Sequence, residues 1–390
     1  MLTSNSNNKK NRQLKRIILK KINKKETHDG RILYNNILAY NFSSNDYLGL
    51  SKNPNLIKGS IDWSKKYGTS LSSSRLVTGN VDFVEQIEEK IKFFYKAEEC
   101  LIFGSGYQLN ITAIPSIFSN ISRNSHECII LSDKLNHASI NIGCKISGHK
   151  TLRYRHLDMN HLESLLLKYK NIKHKLIVSE SVFSMDGDII DIESIRLLAK
   201  KFNCYLYLDE AHAVGVAGRN GFGVSEQLNK KNNREITVGT FSKAFGAYGS
   251  FVCCSSLIKK NLVNYCSGFI YTTALPPNVL GSIFVSINEM PKLSQKRKQL
   301  LENSNYMREA LINLGFSTLN SKTNIIPVLK NSKTNYEKIC KHLLKKGFFT
   351  SLIRPPTVPF KMDRIRLSLT SHINKKIIVK FLKVLKDFEK

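Results

Sequence analysis

Acidic residues are scarce. Asp and Glu number 30 against 60 Lys and Arg in 390 residues, a formal charge of +30. That balance admits a nucleic-acid, lipid or small-anion partner. The excess is mostly Lys, spread along the chain among many Asn and Ile, so it is read as a surface composition bias and not as a nucleic-acid patch. Long apolar runs are also missing: none approaches the roughly 18 residues of a membrane span. The eight cysteines form no C-x-x-C pair and no Cys/His cluster at zinc spacing, which excludes a disulfide framework and a zinc module, and no metal is expected. Cys128, Cys204, Cys253 and Cys254 lie in apolar runs and read as buried thiols of a reducing compartment. The polar start, Met1 to Lys10, lacks the apolar centre of a signal peptide, so a cytoplasmic protein without a membrane is expected; a transit peptide stays open. With 42% hydrophobic and 23% charged residues, the chain is neither disordered nor fibrous.

What is present is an alternation of strand and helix. Apolar strands are read at Cys100–Phe103, Cys128–Leu131, Leu176–Ser179, Tyr205–Leu208, Ile236–Thr240 and Ser250–Cys254, with helical periodicity over Val84–Tyr95, Met159–Tyr169 and Ile192–Phe202. Continuous apolar strands separated by helices predict an α/β fold with a mostly parallel sheet covered on both faces. A long polar helix from Lys292 to Leu314, a strand Arg364–Leu369 and a helix Lys375–Phe388 form a small C-terminal α+β domain. The expected division is 1–45 as an N-terminal segment, 46–288 as the large domain and 289–390 as the small one. Between Lys9 and Lys25, Leu14, Ile17, Ile18 and Ile22 recur at helical spacing, so a basic tail or an amphipathic helix is expected there.

Ligands of such sheets bind beyond the carboxyl ends of the strands. Five strands here end in polar or glycine-bearing loops: Gly104-Ser105-Gly106-Tyr107, Ser132 to His137, Ser179 to Gly187, Asp209-Glu210-Ala211-His212 and Gly239 to Lys243. A carboxylate directly after a buried strand is costly unless it meets a cation. Asp209 and Lys243 stand 34 positions apart at consecutive strand ends. Pyridoxal phosphate needs that pair, a Lys for a Schiff base and an Asp against the pyridinium nitrogen. Its phosphate finds backbone N–H groups at Gly106 and Tyr107 and a hydroxyl at Thr240. His137 is a candidate to stack on the ring, and His212 and Ser184 are candidates to meet its phenolate oxygen.

Two segments, Asp209-Glu210-Ala211-His212-Ala213-Val214-Gly215 and Thr240-Phe241-Ser242-Lys243-Ala244-Phe245-Gly246, carry a family resemblance, together with Asn41 to Leu50 and Arg364 to Leu369. The sequence resembles the α-oxoamine synthases, fold-type I pyridoxal-phosphate transferases that join an amino acid to an acyl thioester and release carbon dioxide. The resemblance implies a seven-stranded, mostly parallel sheet and a homodimer with shared active sites. It implies Lys243 bound to the cofactor and acting as base, with Asp209, His137, His212 and Ser184 around the ring. Gly106, Tyr107 and Thr240 would hold the phosphate, with Thr273 reaching the neighbouring subunit's. Arg366, near Asn45, would clamp the amino-acid carboxylate, and Arg354 would lie near the acyl region. Ile270 to Pro277 and Ile353-Arg354-Pro355-Pro356-Thr357-Val358-Pro359 are most like the members that use L-alanine and a pimeloyl thioester, carried by coenzyme A or an acyl carrier protein, in biotin synthesis.

Where family members often carry a glycine-rich stretch, this chain reads Gly68-Thr69-Ser70-Leu71-Ser72-Ser73-Ser74-Arg75. The bulkier Ser70, Leu71 and Ser72 bear on acyl-chain preference and leave the cofactor chemistry untouched. Three sister activities stay open: glycine C-acetyltransferase, 5-aminolevulinate synthase and serine palmitoyltransferase. A non-catalytic binding homologue is the remaining alternative, disfavoured by the intact Lys243, Asp209, His212 and Arg366.

Overall fold

The computed structural model describes residues 22–23, 29–119, 127–227, 232–330 and 334–389. Seven strands form the main sheet: β1 (Glu99–Phe103), β2 (Cys128–Asp133), β3 (Lys150–Tyr154), β4 (His174–Glu180), β5 (Tyr205–Asp209), β6 (Glu235–Thr240) and β7 (Ser250–Cys254). Their order across the sheet is β1-β7-β6-β5-β4-β2-β3. β7 runs antiparallel to both neighbours, and every other pairing is parallel. β1 therefore shares the direction of β6, and all five loops singled out in the sequence emerge at the same edge.

Alternating side chains of these strands feed two faces. Ile130, Val178, Tyr207, Val238 and Val252 join Leu109, Ile140 and Ile258 of helices on one face. Ile129, Leu131, Ile177, Leu206 and Leu208 pack with Leu162, Leu166 and Ile195 on the other. Two buried faces explain why the strands read as unbroken apolar runs. β3 escaped that reading because it is an edge strand whose Lys150, Thr151 and Arg153 face water.

The expected polar helix begins later than read: a 3-10 turn spans Met290–Leu293 and the α-helix spans Ser294–Asn313. Pro291 has no N–H for an α-helical bond, so the chain turns before the helix starts. The smaller sheet contains β8 (Ile325–Val328), β9 (Ser351–Ile353) and β10 (Arg364–Ser368), antiparallel in the order β8-β10-β9. The hairpin of Arg31–Tyr34 and Ile37–Asn41 pairs through its second strand with Phe348–Phe349, joining the start of the described chain to its end. Most of the helix expected between Lys9 and Lys25 lies outside the described residues. Ile22–Asn23, at its end, is instead a short strand against Leu33 and Tyr34.

All seven cysteines within the body up to Cys266 are buried free thiols, and Cys340 is partly buried. Among the described residues, no helix is long and apolar enough to cross a membrane.

A buried polar bridge ties the loops after β2, β3 and β4. His156 Nδ1 meets Asp133 Oδ1 at 2.9 Å and Nε2 meets Asp188 Oδ2 at 2.8 Å. Burial alone would lower the His156 pKa, but the two carboxylates raise it to about 10 from an ordinary 6.5. A group whose pKa rises on folding stabilises fully below its unfolded value and loses that contribution as pH climbs through its folded one. The stability advantage of the native chain over His156→Gln should therefore be greatest below pH about 6.5 and shrink toward pH about 10. Urea midpoints across that range test it; a constant advantage would contradict the bridge.

Candidate active site

Asp209 ends β5 and is 5% exposed. Its Oδ2 accepts from Asn110 Nδ2 at 2.7 Å, and its Oδ1 from the backbone N–H of Ala211 at 2.9 Å. Lys243 follows β6 in a tight turn closed by Gly246 N–H to its carbonyl, 2.9 Å. Gly246 has φ +65°, and a side chain there would collide with the Leu50–Ser51 backbone. The glycine thus lets the Lys243 turn rest on the loop that carries Asn45 and Tyr47. The Lys243 amine makes no hydrogen bond or ion pair among the described residues. Burial pushes its pKa down to about 8; Asp209 and Glu180 oppose the shift and Arg366 adds to it.

His137 caps the helix Ala138–Ile146 and is exposed. Its Nδ1 lies 2.7 Å from Ser139 Oγ and accepts from the Ser139 N–H at 3.3 Å, so the ring proton belongs on Nε2. Desolvation lowers its pKa, with Asp209 opposing and Lys243 adding. Its backbone N–H donates to Glu180 Oε1 at 2.5 Å. Glu180 ends β4 fully buried, and burial, with Asp209 next, lifts its pKa well above the carboxylate range. His212 is held through Nδ1 to Tyr47 OH at 2.7 Å. Burial, then Lys243 and Arg366, keep it well below its ordinary pKa and hence neutral.

The opposite wall comes from β10. Arg364, Arg366 and Ser368 alternate onto one face, as the sequence pattern predicts. Arg366 Nε donates to the Ser184 carbonyl at 2.6 Å and Nη1 to Ser368 Oγ at 2.6 Å. Its Nη1 reaches Asn45 Oδ1 at 3.4 Å, and Tyr47 OH donates to the same oxygen at 3.3 Å. Arg364, 1% exposed, forms an ion pair with Asp186 of the Ser184 loop. Gly187, at φ +68°, lets that loop pass the Ile325 carbonyl of β8 where a side chain would collide.

The third wall is the helix Gly106–Ser116, capped by Ser105 Oγ accepting from Gln108 N–H at 3.2 Å. The space beyond Gly106 is open, with no heavy atom within 4 Å of where a Cβ would stand. Thr240 Oγ1 donates to the Gly249 carbonyl at 3.0 Å and pairs with Ser242 Oγ at 2.7 Å.

Lys243, Asp209, His137, His212, Arg366, Asn45 and Ser184 are thus joined by contacts or mutual electrostatics at one edge. Two residues stand apart. Thr273 is exposed on a loop and lines a narrow cleft with Gly104, Arg75 and Phe269. Arg354 is exposed and acts electrostatically on Glu337, away from the cluster. The Ser70–Ser72 stretch precedes Arg75, which is anchored to buried Glu88 and to Asn80 Oδ1, the latter at 2.9 Å. Asn110, Ser139, Tyr207, Tyr47, Glu180, Asp186 and Arg364 were not assigned from the sequence. A signal existed for one: Asn110 lies four residues past Gly106, on the same helix face.

A half-buried amine without a partner among the described residues, a carboxylate acting on it electrostatically and a helix N-terminus opening on empty space meet the requirements of pyridoxal phosphate. The same wall makes a stability prediction. Asp186→Ala should destabilise the protein by about 3–5 kcal/mol, because Arg364 is left buried and unpaired. The double variant Asp186→Leu/Arg364→Met should recover much of that loss in denaturant unfolding.

Known proteins are similar to this chain in sequence and in fold. The model of the family "Aminotransferase class I and II" matches residues 39–385. The 8-amino-7-oxononanoate synthase of Gluconacetobacter diazotrophicus is 39% identical over 348 residues, covering 89% of this chain and 87% of that protein. A putative 8-amino-7-oxononanoate synthase of Bacillus cereus is 41% identical, covering 85% and 82%. Among solved structures, Sphingomonas wittichii serine palmitoyltransferase superposes with TM-score 0.84 at 26% identity, covering 92% and 89%. The 8-amino-7-oxononanoate synthase of Francisella tularensis gives 0.76 at 27%, covering 90% and 98%. Both the matched length and the identity carry the conclusion that this chain belongs to the aminotransferase class I and II family, in its α-oxoamine synthase branch.

Proposed function

We propose that the chain is a pyridoxal-phosphate-dependent acyltransferase of biotin synthesis. It condenses L-alanine with a pimeloyl thioester of coenzyme A or acyl carrier protein, giving 8-amino-7-oxononanoate, carbon dioxide and free thiol. The observation that carries this reading is the Lys243 amine, without a hydrogen-bond partner among the described residues and within electrostatic reach of the Asp209 carboxylate and the Arg366 guanidinium. The names of the relatives at 39–41% identity support the substrates.

Pyridoxal phosphate, when bound, supplies an electron sink for charge developing at the amino-acid Cα. Lys243 would attach it, and Asp209 would offer a fixed negative charge to its ring nitrogen. His137 would serve the ring's face, and His212 and Ser184 its phenolate oxygen. The N–H groups of Gly106 and Tyr107, with Thr240, would take the phosphate at a positive helix end. Arg366, steadied by Ser184 and Ser368, clamps the alanine carboxylate beside Asn45. Released Lys243 accepts the Cα proton, which its lowered pKa permits near neutral pH. Cα then attacks the thioester carbonyl, the C–S bond breaks to release a thiolate that takes its proton from solvent, and the carboxylate departs as carbon dioxide. Lys243 returns its proton to Cα. In this reading the enzyme is a cytoplasmic homodimer. Thr273 serves the neighbouring subunit's phosphate, and Arg354 lies near the acyl chain; their exposure on a single chain is consistent with both roles.

One observation favours a second reading: the serine palmitoyltransferase superposes more closely than the Francisella enzyme, 0.84 against 0.76. Backbone likeness at 26% identity says less about substrate side chains than 39% identity does, so the alanine reading is preferred.

Four outcomes test it. L-alanine with pimeloyl-CoA should release free thiol and carbon dioxide, while glycine and L-serine should not; turnover with serine and a palmitoyl thioester alone would transfer the chain to the sister activity. Covalent capture of pyridoxal phosphate by the apoprotein, followed by borohydride locking, should accelerate as pH rises through about 8, where the Lys243 amine loses its proton. Lys243→Ala should abolish turnover, and Asp209→Asn should lower kcat by roughly two orders of magnitude or more. An Asp209→Asn rate close to the native one would refute the assigned charge pairing.

A further inference from the structure

Asn110 is 2% exposed and stands one helical turn past Gly106. Its amide makes three side-chain hydrogen bonds. Nδ2 donates to Asp209 Oδ2 at 2.7 Å and to Ser139 Oγ at 3.0 Å. Oδ1 accepts from Tyr207 OH at 2.6 Å. The acceptor-only carboxylate fixes which end of the amide is nitrogen. With its lone pair engaged by Asn110, the Ser139 hydroxyl donates to His137 Nδ1 at 2.7 Å. A single buried amide therefore touches Asp209 directly and His137 through one hydroxyl. Tyr207 comes from the same strand as Asp209, two residues earlier, so the Tyr207 hydroxyl and the Asp209 carboxylate grip the amide from one strand.

We propose that Asn110 is a positioning residue of the reaction. It fixes the Asp209 carboxylate for the cofactor's ring nitrogen and, through Ser139, fixes the plane and tautomer of His137 for the ring's face. The proposal rests on the reading above, in which Asp209 and His137 meet that ring. Without the amide, Asp209 Oδ2 loses its side-chain donor and the carboxylate is free to turn toward the titratable groups that face it, the Lys243 amine and the Glu180 carboxyl, the latter pushed toward its neutral form. The Ser139 hydroxyl loses the donor that orients it, and His137 Nδ1 is left with the longer Ser139 N–H contact, 3.3 Å, as its one fixed donor.

Leucine at this position matches asparagine in bulk and removes all three bonds. A purely structural role predicts a less stable holoenzyme with an unchanged cofactor. A positioning role predicts a changed cofactor in a folded protein. The experiment compares wild type, Asn110→Leu and Tyr207→Phe, each reconstituted with pyridoxal phosphate. The readouts are the pH titration of the bound cofactor's absorbance from pH about 6 to 9.5, and kcat and KM for the amino acid.

In Asn110→Leu the absorbance transition should move by about one pH unit, and kcat should fall ten- to a hundredfold, roughly the worth of one hydrogen bond to a charged group. KM should stay within about threefold, because Arg366 is untouched. Tyr207→Phe keeps the packing and frees only Asn110 Oδ1, so it should shift the same transition in the same direction by less. A folded Asn110→Leu with the wild-type titration and kcat overturns the proposal, and so does a loss of thermal stability with the titration unmoved. If Asn110→Leu does not fold, Tyr207→Phe decides: an unmoved titration overturns the proposal. Wild type that takes up no pyridoxal phosphate fails the functional reading itself, an outcome separate from any difference among the variants.

Discussion

A carboxylate buried at the end of a strand has to be compensated, and much of this site is arranged around that need. Asp209 closes a fully buried strand, so its charge cannot be left to water. Part of the compensation is rigid: the Asn110 amide and the Ala211 N–H each take one oxygen. The remainder is electrostatic and comes from Lys243, whose own burial loosens its proton, lowering the pKa to about 8. The two groups work against each other. Asp209 draws the proton onto Lys243, while the low dielectric expels it, and the amine ends near the working pH of a general base.

The second dependence links the smaller sheet to the larger. β10 carries two arginines on one face, and both grip the loop that follows β4. Arg364 takes Asp186, and Arg366 takes the Ser184 carbonyl. Arg366 spends its Nε on that carbonyl and one Nη on Ser368, which aims the rest of the guanidinium toward Asn45. A lysine could satisfy the charge there but not this fork of fixed donors. The Asp133–His156–Asp188 bridge performs the same service one layer behind, tying together three loops that emerge from β2, β3 and β4. The site is therefore set by loops, and the loops are set by buried ions.

Much of this was legible in the sequence because strand ends are legible. Apolar runs mark strands buried on both faces, and the polar residue after each run marks where the chain leaves the sheet. That logic brings Asp209, Lys243 and His137 to one edge, and the alternation in Arg364 to Ser368 puts both arginines on one face. The family resemblance, not the composition, supplied the seventh strand, since β3 is half exposed and its lysine, threonine and arginine carry no apolar signal. The partners that hold the site escaped for a different reason. Tyr207 sits inside a strand, where an isolated polar residue has no spacing to announce it, and Asn110 inside a helix, where its four-residue spacing from Gly106 names a face but no partner. Glu180 and Asp186 lay in a loop already noted, but nothing in the order of residues says which oxygen meets which donor.

The charge balance of the site bears on its ligands more sharply than the chain's net +30 does. At the strand edge, Glu180 is pushed toward its neutral form, and His137 and His212 toward theirs. Asp209 is then set against the guanidinium of Arg366, a lysine whose proton is only loosely held, and the positive end of a helix that opens on empty space. Such a site carries an excess of positive potential at two separate places, the helix end and the guanidinium. Each suits an anion. In the proposed function a phosphate at the helix end and a carboxylate at Arg366 would answer that demand and leave the ring nitrogen to Asp209.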